Sequence, residues 1–97
     1  IETDDAIMST ASTRPLEDAY RTSQRDLITW IAARHDLDVL DALQLVSQAG
    51  EAPVANVVDP NYTFVAKMPK AMLPAGDWYE GMHARMRASA RTYLAQR

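Results

Sequence analysis

The chain has 97 residues, a mass of 10.8 kDa and 47% hydrophobic residues, which is enough for one small core. A domain of this size buries only about 60–65% of the surface that its unfolded chain exposes. Its 10 basic and 13 acidic side chains give a net charge of −3, which argues against a general nucleic-acid-binding surface. The absence of cysteine excludes disulfides, thiolate zinc sites and a cysteine nucleophile. No apolar run is long enough to cross a membrane, and no signal-peptide pattern is present.

Charge is unevenly distributed along the chain. Residues 1–51 carry ten acidic and four basic side chains, whereas residues 52–97 carry three acidic and six basic ones. The two parts therefore have net charges of −6 and +3. This pattern fits either two solvated faces of different sign or a contact between the basic tail and an acidic surface. The first residue is Ile1 rather than Met, so we expect a processed piece of a longer polypeptide.

The N-terminal residues predict a reversal of the chain between two short strands. Ile1–Thr3 and Ala6–Thr10 are rich in Ile, Thr and Met, and Asp4-Asp5 between them is typical of a turn. Because two short strands are not stable alone in water, we expect them to need a sheet from elsewhere.

Two helices follow, joined by a short link that favours an αα-hairpin. The first is predicted to begin at Thr13-Arg14-Pro15 and to end near Arg34-His35. Its apolar stripe, in which Tyr20 and Trp30 are expected to be core residues, is Leu16, Ala19, Tyr20, Ser23, Leu27, Trp30 and Ile31. The second is predicted to begin after Asp38 and to end at Gly50 in a left-handed conformation.

The second half of the chain predicts strands and then a last helix. Val54–Val58 and Tyr62–Met68 appear as extended segments, with Asp59-Pro60-Asn61 as the turn between them. Gly76-Asp77 opens a helix that extends to about Gln96. The apolar stripe of that helix is Tyr79, Met82, Met86, Ala90, Tyr93 and Leu94. We therefore predict an α+β fold with a helical hairpin, short strands and a C-terminal amphipathic helix.

Candidate chemical groups are few. Glu2, Asp4 and Asp5 form the densest carboxylate group, which suits either a hard cation or a solvated turn. His35 is expected to be a cation that complements the helix dipole rather than a metal ligand, and His83 is expected at the surface.

The last helix carries a set of arginines beside methionines. Arg85, Arg87 and Arg91 suit phosphate binding, but beside Met82 and Met86 they favour an amphipathic helix that packs on a partner.

Several segments resemble a known enzyme family in order and spacing. These are Ile1-Glu2-Thr3, Pro15-Leu16-Glu17-Asp18-Ala19, Leu27-Ile28-Thr29-Trp30-Ile31, Asp41–Ser47, Asn56-Val57-Val58-Asp59-Pro60 and Ala66-Lys67-Met68-Pro69-Lys70. Residues 1–74 thereby resemble the C-terminal part of the acetamidase/formamidase family. Residues 75–97 lie outside the resemblance and are expected to be a helical extension.

The resemblance implies a hydrolase that acts on small carboxamides or lactams, releasing ammonia or opening the ring. It implies a β-rich domain to which another chain contributes, and a divalent metal, expected to be zinc, whose ligands lie upstream of Ile1. No metal ligand is assigned to this chain. Asp59 is the candidate catalytic carboxylate, with a turn-capping role as the alternative, and Lys67 or Lys70 is a candidate electrophile.

The expected partners follow from the same resemblance. They are a larger N-terminal chain of the same enzyme, a small amide substrate and further copies in a homo-oligomer, with no nucleic acid and no membrane, in the cytoplasm. Two other hypotheses stay open: a non-catalytic helical subunit that docks onto a larger partner, and a free-standing α+β binding domain. The segments at Asn56–Pro60 and Lys67–Lys70 favour the hydrolase, because a docking subunit has no need of them.

Overall fold

The computed structural model describes residues 1–58 and 60–97, and its elements confirm the α+β class with a C-terminal helix. In chain order they are β1 (Ala6–Thr13), α1 (Leu16–His35), α2 (Val39–Ala49), β2 (Val54–Asn56), β3 (Tyr62–Pro69), a short 3₁₀ helix (Lys70–Met72) and α3 (Met82–Ala95). None of the described helices combines the length and apolar character that a membrane crossing requires.

The sheet is antiparallel, with the strand order β1-β3-β2. β1 pairs with β3 along its whole length, from Ala6 opposite Pro69 to Thr13 opposite Tyr62. The expectation that the N-terminal strand needs a sheet from elsewhere is therefore wrong, because this chain supplies the partner strand itself. β2 adds a short third strand with an irregularity between Val54 and Asn56.

The predicted N-terminal reversal is present as a tight turn with a single bridge instead of two paired strands. Glu2 forms an isolated antiparallel bridge with Ile7, and the Thr3 hydroxyl accepts a hydrogen bond from the Ala6 amide at 3.1 Å. The N-terminal ammonium group donates to the Met8 carbonyl at 2.8 Å. These contacts fold the first residues back over the start of β1.

The core lies between the sheet and α1, and α2 extends it. Its fully buried large side chains are Ile7, Leu27, Ile31 and Met68. Ala66 and Met68, which point to the same face of β3, are buried, and Val65 on the other face of the strand is buried as well. Trp30 packs against this core while only partly buried.

The assignment of Tyr20 to the core is wrong. Its side chain is 44% exposed, and its ring meets Phe64 edge-on with centroids 5.0 Å apart. Tyr20 therefore covers the edge of the core.

The predicted left-handed cap at Gly50 is wrong, and the left-handed residue of the helical hairpin lies at the end of α1 instead. Gly50 has φ −76°, so it is not left-handed, whereas Asp36 at the end of α1 has φ 53°. A Cβ at Gly50 would lie only 2.5 Å from the Val46 carbonyl oxygen, so glycine is needed there for close approach of the backbone. The start of α2 agrees with the prediction, because an Asp38 carboxylate oxygen accepts from the Leu40 amide at 2.8 Å.

α3 begins later than Gly76-Asp77 predicted, at Met82 after Gly81 with φ 76°. The segment before it turns so that Trp78 is buried against Trp30, with ring centroids 5.0 Å apart. α3 itself buries none of its residues. Its apolar stripe is therefore uncovered in the described part of the chain.

Two methionines near the end of the sheet test the position of the core. Met68 is 0% exposed and Met72 is 57% exposed. We expect Met68→Ala to lower the free energy of unfolding by about 2–5 kcal/mol, because it leaves a cavity. Met72→Ala is the matched control and should have little effect. Equal losses for both variants in urea denaturation would contradict this core.

Candidate functional site

Asp59, the candidate catalytic residue, lies outside the described residues, so its role stays a prediction. On its N-terminal side, β2 ends at Asn56, whose side-chain oxygen accepts a hydrogen bond from the Val58 amide at 3.1 Å. Val57 and Val58 are 62% and 69% exposed. The described approach to Asp59 is thus an exposed turn stabilised by an asparagine side chain.

The two candidate electrophiles, Lys67 and Lys70, are each held by a carboxylate. Lys67 Nζ lies 3.5 Å from Glu51 Oε2, and Lys70 Nζ lies 2.6 Å from Glu2 Oε2. The Lys70 pair is the more sheltered, since its side chains are 26% and 10% exposed for Lys70 and Glu2. Both ammonium groups therefore have compensated charges in this structure.

The third cluster joins the N-terminal turn to α3 and is centred on Asp4. His83 Nε2 lies 2.7 Å from Asp4 Oδ1, and an Arg87 guanidinium nitrogen lies 2.5 Å from Asp4 Oδ2. Residues four apart on a helix share a face, so His83 and Arg87 reach the same carboxylate. The hydrogen bond with His83, aided by the charge of Arg87 and opposed by partial desolvation, holds the pKa of Asp4 below its usual 3.8. His83 is thus a hydrogen-bond partner of Asp4 as well as a surface residue.

Three of these contacts join the acidic and the basic parts of the chain. The pairs at Glu2, Asp4 and Glu51 each join an acidic residue of 1–51 to a basic residue of 52–97. The remaining ion pair of the described chain, Arg21 with Asp18, is local to α1. The basic part therefore meets an acidic surface within the same molecule.

The N-terminal carboxylates do not converge on a common point. Glu2 and Asp4 face different partners, and Asp5 contributes its backbone carbonyl to the Lys70 amide. Within residues 1–58 and 60–97, no three His, Asp or Glu side chains form a group that could hold a metal ion. This portion does not fit a complete metal site by itself, so the expected metal stays a prediction and no reaction step is assigned to it.

His35 differs from the expected helix-end cation. Its ring lies edge-on to Trp78 with centroids 5.1 Å apart, and its Nε2 is buried without a hydrogen-bond partner among the described residues. Burial, with a smaller contribution from Arg34, lowers the pKa of His35 below its usual 6.5. The dipole at this end is instead complemented by Arg34, whose Nε donates to the Asp77 carbonyl.

A cleft of about 160 Å³ between α1, α2 and the loop that leads from α2 to β2 was not predicted. Its lining residues are Tyr20, Gln24, Ile28, Leu43, Val46, Ser47, Gly50, Glu51 and Ala52. The amide of Gln24, the hydroxyl of Ser47 and the carboxylate of Glu51 give it hydrogen-bonding groups beside apolar walls. The sequence gives little indication of this cleft, because its polar residues lie on two helices and a loop that only the tertiary fold brings together.

Comparison with known proteins finds likeness at the level of solved structures. The acetamidase from Yersinia enterocolitica matches 76% of this chain with a TM-score of 0.72 and 44% sequence identity. The acetamidase from Bacillus halodurans matches 72% with a TM-score of 0.69 and 28% identity. This chain spans only 22% and 24% of the lengths of those two chains. No family model and no curated protein matches it.

The buried nitrogen of His35 predicts a pH-dependent stability. The unfolded chain takes up a proton on this residue near pH 6.5, whereas the folded chain does so only at lower pH. The free energy of unfolding should therefore fall as the pH decreases through 6.5 toward the lower folded pKa. His35→Phe keeps a ring beside Trp78 and should flatten that slope in denaturant titrations at a series of pH values. An unchanged slope in this variant would show that other groups cause it.

The Asp4 cluster predicts how α3 is attached. Asp4→Asn removes the charge that His83 and Arg87 share, so the amides of α3 should exchange with deuterium several-fold faster. Asp5→Asn is the matched control, because the Asp5 side chain forms no ion pair in the described chain. Added salt should also speed exchange in the wild type, since it screens exposed pairs. Equal exchange in the two variants would contradict the role of Asp4.

Proposed function

We propose that this chain belongs to the acetamidase/formamidase family. On that premise it is part of a hydrolase that cleaves the C–N bond of small carboxamides or lactams. The observation that carries the proposal is the likeness to the Yersinia acetamidase, which holds in sequence and in backbone structure together. Formamide and small lactams belong to the same proposed substrate class as acetamide.

Amide hydrolysis sets chemical requirements that this chain meets only in part. The carbonyl must be polarised, a water must be activated, and the departing nitrogen must receive a proton. In the described chain, Lys67, Lys70 and Asp4 are all engaged in ion pairs. We infer that the metal site is supplied largely by an upstream portion of the enzyme and that this chain alone is inactive.

The contribution of this chain would then be structural at the active site, with Asp59 as its candidate catalytic group. We propose that the Asp59 carboxylate faces a neighbouring pocket of the assembled enzyme. The exposed Val57 and Val58 beside it support a contact with another portion of the enzyme, because together they present apolar surface to solvent. The larger N-terminal chain is the proposed partner.

Complementation with a truncated acetamidase tests the proposal. The Yersinia enterocolitica enzyme lacking the segment that matches this chain would be mixed with the 97-residue chain, and ammonia release from acetamide measured. We expect neither component to be active alone and the mixture to be active. Association without ammonia release from acetamide, formamide or a small lactam would favour the docking-subunit hypothesis, and the absence of both would contradict a shared architecture.

The same mixture tests Asp59. Asp59→Asn should lower turnover about 10²–10⁴-fold if the carboxylate transfers a proton, with little change in melting temperature. Asp26→Asn is the control, because Asp26 is exposed and forms no ion pair within the described chain. Unchanged turnover with a lower melting temperature would instead assign Asp59 to the turn before Pro60.

A further inference from the structure

We propose that α3 of one copy docks onto the exposed start of α2 in a second copy. The two surfaces are the α3 patch, formed by Met82, Met86, Tyr93 and Leu94, and the α2 patch, formed by Val39, Leu40 and Leu43. This contact is separate from amide hydrolysis and does not depend on it.

The α3 patch is an uncovered apolar stripe on a basic helix. Its four side chains are between 49% and 65% exposed, and their spacing keeps them on one side of the helix. From Gly81 to Arg97 the chain contains four arginines and no acidic residue. Asp4 engages Arg87, whereas Arg91 and Arg97 form no ion pair within the described residues. Such a helix is suited to an apolar groove bordered by carboxylates.

The α2 patch has the complementary character. Val39, Leu40 and Leu43 are 57%, 69% and 43% exposed. Asp36 and Asp41 flank them, and neither carboxylate forms an ion pair in the part of the chain that the structure describes. Apolar side chains beside unpaired carboxylates match the apolar side chains beside unpaired guanidinium groups on α3.

Charge selects a second copy as the occupant and sets which surfaces meet. Residues 81–97 carry +4, so the total of −3 leaves −7 on residues 1–80. Two α3 helices repel each other, as do two α2 patches, whereas α3 is attracted to the acidic body of another molecule. If both copies donate α3 in this way, two equal contacts close a twofold dimer.

Charge reversal tests the pairing. In light scattering with size-exclusion chromatography, we expect the wild-type chain at twice the monomer mass of 10.8 kDa. The double variant Arg91→Glu/Arg97→Glu should be monomeric, and so should Asp41→Lys. Mixing these two variants should restore a dimer, because one contact keeps its original charges and the other has both signs reversed. Arg14→Glu, which reverses an exposed arginine outside both patches, should remain dimeric.

The outcomes separate cleanly once circular dichroism has shown that each variant is folded. Loss of the dimer in both reversed variants and its return on mixing supports the proposal. A wild-type monomer, a dimer that survives both reversals, or a mixture that stays monomeric overturns it. A wild-type chain that is monomeric alone and binds only the truncated acetamidase also overturns it, since α3 would then be covered by another portion of the enzyme.

Discussion

The antiparallel pairing of β1 with β3 is the interaction on which the remaining structure depends. It places Ile7 opposite Met68, and both side chains are fully buried. Opposite residues in such a pair share a face of the sheet. Leu27 and Ile31 of α1 belong to the same buried cluster as these two side chains. The same register brings the N-terminal turn to the end of β3, where Glu2 meets Lys70. The packing of the core and the Glu2–Lys70 ion pair therefore both depend on the register of β1 and β3.

In the folded molecule, ion pairs between the acidic and basic parts of the chain hold separate segments together. Glu2 and Glu51 fix the two edges of β3 through Lys70 and Lys67, while Asp4 holds the first turns of α3. The pairs at Glu51 and Asp4 are exposed and contribute little to stability individually, so their effect is chiefly to position one segment against another. α3, which has no buried side chain, depends on this positioning more than any other helix.

Local signals in the sequence predicted local structure well. The end of α1 at His35 and the Asp38 cap of α2 agree with the structure, because periodicity and a capping carboxylate act within a few residues. The start of α1 at Leu16 comes just after the predicted one at Thr13-Arg14-Pro15. The pairing of β1 with β3 was missed, since its paired residues are 49 to 63 positions apart in the sequence and neither pattern identifies its partner. For the site, the charged residues could be recognised individually, but their pairing depends on the same long-range register. The environment of His35 was missed for a related reason: Trp78, which covers it, is 43 residues away.

The aromatic contact at the end of α1 has a spectroscopic consequence. The chain contains two tryptophans, and both lie in one cluster with their ring centroids 5.0 Å apart. Their ultraviolet emission therefore reports on the junction between α1 and the segment that precedes α3, and hardly at all on the hydrogen-bonded strands. Tryptophan emission alone therefore does not report whether the sheet is intact, and a probe on β1 or β3 would be needed to observe the loss of the strands.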